Sequence, residues 1–118
     1  MRIATWNVNS LRARRDAVLD WFARAQPDIA LLQETKCTDA HLPVDDLAAL
    51  GYDLAHHGRD HWNGVAIASR VGLEEIERGF AGTNRPPFDE ARIIGATCGG
   101  IRVFSVYVPN GRELDDPH

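Results

Sequence analysis

Residues 2–36 read RIATWNVNSLRARRDAVLDWFARAQPDIALLQETK, and this stretch decides the fold. RIATWNVN (Arg2–Asn9) is a short strand ending in polar residues. In SLRARRDAVLDWFARA the apolar Leu11, Val18, Phe22 and Ala25 fall on one helical face. Asn9 or Ser10 is expected to cap that helix, and Pro27 stops it. A second strand follows over Asp28–Gln33. Strand, helix and strand within about 30 residues make a βαβ unit. Its two strands are therefore expected to be parallel neighbours in one sheet.

Beyond this unit, Val44–Leu50 is a short helix with Pro43 at its first turn and Gly51 just past its end. YDLAHHG and NGVAIASR form a hairpin around RDHW, and GLEEIERGF is a strand with a charged outer face. AGTNRPPFDE (Ala81–Glu90) is rich in turn formers and is expected to be a surface loop. ARIIGATCGGIRVFSVYVPNG gives two strands turning at Gly99-Gly100. The class is α/β with a mixed β-sheet and flanking helices, parallel early and antiparallel later. No helices follow the later strands, so their second face is expected to be exposed or covered by polypeptide outside this sequence. The polar RELDDPH lacks a stop signal, and the chain reads as a domain cut short.

The 118 residues allow one domain with a real core. At 44% hydrophobic and 25% charged, the composition is that of a globular protein. A net charge of -4 gives no overall basic field, which speaks against a dedicated DNA-binding module. It does not speak against a nuclease that uses a local basic rim and a metal ion. Met1-Arg2-Ile3 leads straight into a strand without signal-peptide features, and no apolar run reaches bilayer length. Cys37 and Cys98 lack any paired spacing, so no disulfide or zinc site is expected and a reducing cytoplasm is the default.

Three strands finish in a polar side chain suited to chemistry: Asn7, Glu34 and Tyr107. Parallel early strands put Asn7 and Glu34 at the same sheet edge, the usual ligand crevice of α/β sheets. Glu34 is a hard oxygen ligand suited to Mg²⁺, which is held by one or two carboxylates plus water and phosphate. From spacing alone the commoner explanation is strand-end residues that satisfy backbone groups, and both readings stand. His56, His57 and His61 lie close together, but adjacent residues on a strand point to opposite faces, which favours structural or surface roles. No Ser/His/Asp order or glycine-rich phosphate loop is present. Trp62 could stack on a base or pack over the sheet end. Arg12, Arg14 and Arg15 could meet phosphate, though a solvated helix face is the commoner explanation.

ATWNVNSLRAR, PDIALLQETK, HWNGVAIASR, RIIGA and VYVPNG occur in the order and spacing of the exonuclease III family, which the chain resembles over nearly its whole length. These are Mg²⁺-dependent abasic-site endonucleases and 3′→5′ exonucleases within the endonuclease/exonuclease/phosphatase superfamily. The resemblance implies the N-terminal half of a four-layered α/β sandwich of two packed sheets. It implies Asn7 beside the metal, Glu34 as metal ligand, and Tyr107 near the scissile phosphate. It also implies DNA-facing positions for Arg12 and Trp62 and a place close to the site for Lys36. Asn9 takes the second polar position of the first motif. Ser10 replaces a frequent glycine, a mild departure that serine is expected to tolerate well.

The cofactor implied is Mg²⁺, with Mn²⁺ as the alternative. The partner implied is double-stranded DNA at abasic sites or 3′ ends, handled by a monomer. The family's further catalytic aspartates, asparagine and histidine are expected in sequence beyond His118. Two alternatives remain: a catalytically inactive fragment, or a superfamily phosphatase or phospholipase acting on a non-DNA phosphoester.

Overall fold

The computed structural model describes residues 1–58, 63–78 and 93–107. The expected βαβ unit is present. Strands β1 (Ile3–Asn7) and β2 (Ile29–Gln33) pair in parallel, Ile3 opposite Ile29 and Asn7 opposite Gln33. Helix α1 (Arg15–Ala25) connects them. It ends at Gln26 in the left-handed conformation, just before Pro27.

The expected cap fails. Residues 11–14 form turns rather than helix, Arg14 occupies the cap position, and it makes no side-chain cap hydrogen bond. Ser10 Oγ accepts from the Ala13 amide at 3.2 Å, which closes the preceding turn instead. Leu11 is buried all the same, so the apolar periodicity marked a buried face that begins before the helix does.

A 3₁₀ turn at Asp39–His41, which the sequence does not announce, precedes α2 (Val44–Ala49). β3 (Asp53–His57) and β4 (Val65–Ser69) form the expected hairpin, and β4 also pairs antiparallel with β2. The first sheet is thus mixed, with order β1-β2-β4-β3. A second, wholly antiparallel sheet has order β5-β6-β7, from β5 (Glu74–Arg78), β6 (Ile93–Cys98) and β7 (Ile101–Val106). Gly99 and Gly100 join β6 to β7 with φ of 57° and 83°, as a tight hairpin turn with two positive dihedrals requires. The loop expected at Ala81–Glu90 and the polar RELDDPH lie outside the described residues.

Two apolar layers hold this arrangement. On one face of the first sheet, Val18 and Phe22 of α1 and Leu47 of α2 pack on Ala30 and Leu32 of β2 and Ala66 and Ala68 of β4. The Phe22 ring meets Trp21 and Tyr52 edge-on at centroid distances of 4.9 and 4.8 Å. On the opposite face, Ile29, Val65 and Ile67 meet Ile94, Ala96, Cys98 and Val103 of the second sheet. β2 and β4 are covered on both sides, which is why they read as continuous apolar runs rather than alternating ones. Among the described residues, the outer face of the second sheet exposes Phe104 and Val106. Cys37 and Cys98 are both buried and are not joined in a disulfide.

Candidate functional site

The site is built where β1 and β2 end. Asn7 is the last residue of β1, and Glu34 follows the last residue of β2. Asn7 Nδ2 donates to Glu34 Oε2 at 2.6 Å, and Asn7 Oδ1 accepts from the Asn9 amide at 3.1 Å. Lys36 Nζ donates to Asn9 Oδ1 at 2.8 Å and stands 3.6 Å from Glu34 Oε1. Four side chains from two strand ends therefore form one connected cluster around a single carboxylate. The Glu34 side chain keeps 22% of its surface accessible, enough for an oxygen to meet a ligand.

The backbone that carries these groups is strained. Asn9, Ser10, Glu34, Lys36 and Asn63 all have positive φ. Asparagine tolerates that region, whereas glutamate and lysine seldom enter it. The strain is held in place by hydrogen bonds on both flanks. Val8, Ser10 and Leu11 amides donate to the carbonyls of Gln33, Glu34 and Thr35, while Thr35 and Lys36 amides donate to Gly64 and Asn63. Below the turn, buried Thr35 Oγ1 lies 2.8 Å from His56 Nε2. Such clustering of left-handed residues is typical of functional sites, where surrounding structure overrides local preference.

Tyr107 reaches the same end by way of β7. The Gly99 turn sits against Met1 and Val71, with a Cβ on Gly99 falling 3.3 Å from Met1 Cε. That places the start of β7 at the amino end of β1. Six residues later Ser105 Oγ donates to Leu32 O at 2.7 Å and accepts from Gln33 Nε2 at 3.1 Å, at the carboxyl end of β2. β7 thus runs the same way as β1 and β2, and Tyr107 emerges beside the Asn7–Glu34 end. It packs on the apolar cluster between the sheets.

Arg12 is exposed and shares an open depression with Ser10, Ala13 and Lys36. Arg15 is drawn away from it into an ion pair with Asp46. Trp62 and His61 lie outside the described residues. His56 and His57 point to opposite faces as expected, by the alternation that puts Leu54 with the helices and Ala55 between the sheets. Among the described residues no group of three or more His, Cys, Asp or Glu gathers to hold a metal.

Ser10 departs from expectation. Its φ of 84° lies beyond the left-handed basin that L-residues reach most easily, so serine is strained where glycine would not be. Sequence reading also gave no role to Thr35 or Gln33. The one signal for Gln33 was a polar residue at the inner end of a strand otherwise wholly apolar.

The family model for the Endonuclease/Exonuclease/phosphatase family matches residues 4–116. The chain belongs to that family. Among the family's curated members it is 34% identical over 117 residues to exodeoxyribonuclease III of Haemophilus influenzae, covering 96% of this chain and 43% of that protein. It is 31% identical over 115 residues to the DNA repair nuclease APEX1 of Danio rerio, covering 93% of this chain and 36% of that one. Among solved structures, a 3′-5′ exonuclease from Neisseria meningitidis superposes with a TM-score of 0.89 at 39% identity, covering 99% of this chain and 45% of the other. An AP endonuclease from Archaeoglobus fulgidus gives 0.87 at 39%, covering 99% and 44%. The chain spans less than half the length of these relatives, and its two packed sheets are part of the family fold.

Proposed function

We propose that this chain carries part of the active site of a metal-dependent DNA-repair nuclease that hydrolyses phosphodiester bonds at abasic sites and 3′ ends of duplex DNA. The observation that carries the reading is the Asn7–Glu34–Lys36 cluster, a single held carboxylate at the carboxyl ends of parallel strands. The names of the relatives support the substrate class.

The donor set fits a hard cation. Glu34 offers carboxylate oxygen, and Mg²⁺ is commonly held by one or two carboxylates together with water and substrate phosphate. Glu34 would hold the ion, with Asn7 fixing the carboxylate from behind. When bound, Mg²⁺ or Mn²⁺ supplies electrophilic stabilisation of phosphate oxygens. Lys36 steadies Asn9 and adds positive charge beside the cluster. The Tyr107 hydroxyl donates toward a phosphate oxygen, and Arg12 on the rim grips the DNA backbone without reading sequence. Trp62 is assigned to DNA contact from its place in the motif HWNGVAIASR alone. We assign the protein to the cytoplasm as a monomer, with its two buried cysteines in no disulfide.

The test uses the protein carrying these 118 residues, a duplex oligonucleotide with one abasic site, and Mg²⁺. Strand scission is expected, abolished by chelation and reduced at least a hundredfold in Glu34→Gln with the thermal transition retained. Cleavage of a phosphoinositide head group with intact DNA would transfer the chain to another branch of the family. Full activity in Glu34→Gln would remove the carboxylate from the mechanism.

A further inference from the structure

The two sheets are not joined by a backbone ladder at the site end, yet the proposed site draws on both. Asn7 and Glu34 belong to the first sheet and Tyr107 to the second. Something has to fix one against the other. Gln33 occupies that gap. The residue is 9% exposed, and its Nε2 lies 3.0 Å from Thr5 Oγ1 on β1, 3.1 Å from Leu31 O on β2 and 3.1 Å from Ser105 Oγ on β7.

The donor and acceptor roles are set by chemistry. Ser105 Oγ spends its proton on Leu32 O at 2.7 Å, so toward Gln33 it can only accept. A carbonyl and a committed hydroxyl face the same Gln33 atom. The opposite orientation of the amide would set oxygen against oxygen, so Gln33 has one usable orientation. Replacement by an apolar side chain would leave the fully buried Ser105 oxygen short of a donor, whereas exposed Thr5 can turn to water. Ser105 stands two residues before Tyr107, about 7 Å along an extended strand. Gln33 itself is followed directly by Glu34.

We propose that Gln33 is a positioning residue, which through Ser105 sets where Tyr107 stands relative to the Asn7–Glu34 carboxylate. This rests on the nuclease reading for its catalytic meaning, but the coupling itself does not. The side chain touches no substrate; it keeps the contributions of two sheets in one register.

The coupling is tested by incorporating 3-fluorotyrosine and recording fluorine NMR. The chain holds two tyrosines, and Tyr52 is a built-in control, buried against the helices with its hydroxyl bonded to Pro27 O. Gln33→Met keeps the volume and removes the donors, and Ser105→Ala removes the relay with little change in size. Each is expected to shift or broaden the Tyr107 signal and leave the Tyr52 signal in place. If Gln33→Met does not fold, Ser105→Ala decides alone. An unmoved Tyr107 signal in the folded variants overturns the proposal, whatever the protein does to DNA.

Catalysis gives the second readout. Gln33→Met is expected to lower kcat about tenfold, the low end for loss of a group that orients another, with KM within about twofold. In Gln33→Met/Tyr107→Phe the loss is expected to be no larger than in the worse single variant, since both act through one hydroxyl. Multiplied losses would show that Gln33 acts by some other route. Absence of DNA cleavage by the unaltered protein would end the nuclease reading while the fluorine signals still decide the coupling.

Discussion

Asn7 and Glu34 close the ends of two parallel strands with a hydrogen bond of 2.6 Å, amide to carboxylate. The bond turns two adjacent strand ends into one fixed carboxylate, since the second Asn7 atom is itself tied to the Asn9 amide. Removing it leaves Glu34 free to rotate and exposed to Lys36. Groups that orient a ligand in this way are typically worth about 10–100-fold in metal affinity or activity. On the proposed nuclease reading, Asn7→Ala is therefore expected to raise the Mg²⁺ concentration needed for half-maximal cleavage by about tenfold or more. The thermal midpoint should move little, because the bond is exposed. A shifted midpoint with an unchanged Mg²⁺ requirement would mean that Asn7 serves the fold rather than the carboxylate.

Ser10 gives a prediction of opposite sign. With φ of 84° it carries a left-handed strain of about 1–2 kcal/mol. Against this stands its hydrogen bond from the Ala13 amide, long at 3.2 Å and exposed, at the low end of about 0.5–1.5 kcal/mol. Glycine would also gain chain entropy in the unfolded state, which offsets part of the relief. Ser10→Gly is expected to stabilise the chain by about 0.5 kcal/mol, seen as a higher urea midpoint with unchanged slope. A lower midpoint would show that the Ala13 bond outweighs the strain.

Much of the fold was legible because its signals are local. The run DIALLQ and the helical spacing of Val18 and Phe22 mark β1-α1-β2 without knowledge of tertiary contacts, and Gly99-Gly100 marks the last hairpin. The division into two sheets was not readable from periodicity. β4 and β6 are both apolar runs, and which sheet each joins depends on pairings between distant residues. At the site, Asn7 and Glu34 could be placed together from parallel pairing alone. The roles of Gln33 and Thr35 could not, since each depends on a partner far along the chain, Ser105 and His56. The positive φ of Glu34 and Lys36 has no signal in the residue types, because these side chains do not favour it.

Thr35 and Gly64 form the floor beneath Glu34. A Cβ on Gly64 would fall 2.0 Å from Thr35 Oγ1, and Gly64 has φ of 96°. Overpacking in a core costs about 1–3 kcal/mol. The left-handed backbone adds about 1–3 kcal/mol for a side chain. Gly64→Ala is accordingly expected to destabilise the chain by about 2–6 kcal/mol, a large share of the stability of a small domain. Thr35→Val probes the same floor without a clash. It keeps the shape and removes the bond to His56, and it should cost about 0.5–1.5 kcal/mol for the hydrogen bond lost. Urea unfolding of both variants checks the order. Near-wild-type stability in Gly64→Ala would mean that the Thr35 hydroxyl can turn away freely.

Asp28 ties the opposite end of the first sheet, and it predicts the acid limit. Its carboxylate accepts from the Arg2 amide at 2.7 Å and from Arg70 Nε at 3.0 Å, joining the starts of β1 and β2 to the end of β4. The Arg2 amide bond, followed by the Arg70 bond, holds the Asp28 carboxyl below its ordinary value of 3.8. A depressed carboxyl stabilises the fold fully above its unfolded value and loses that contribution as pH falls through the folded one. The thermal midpoint should therefore drop as pH falls below 3.8. Asp28→Asn should start from a lower midpoint at neutral pH and show a shallower acid loss, because its amide gains no proton over that range. Parallel midpoint curves for the two proteins, read by circular dichroism from pH 7 downward, would assign the acid sensitivity to other carboxylates.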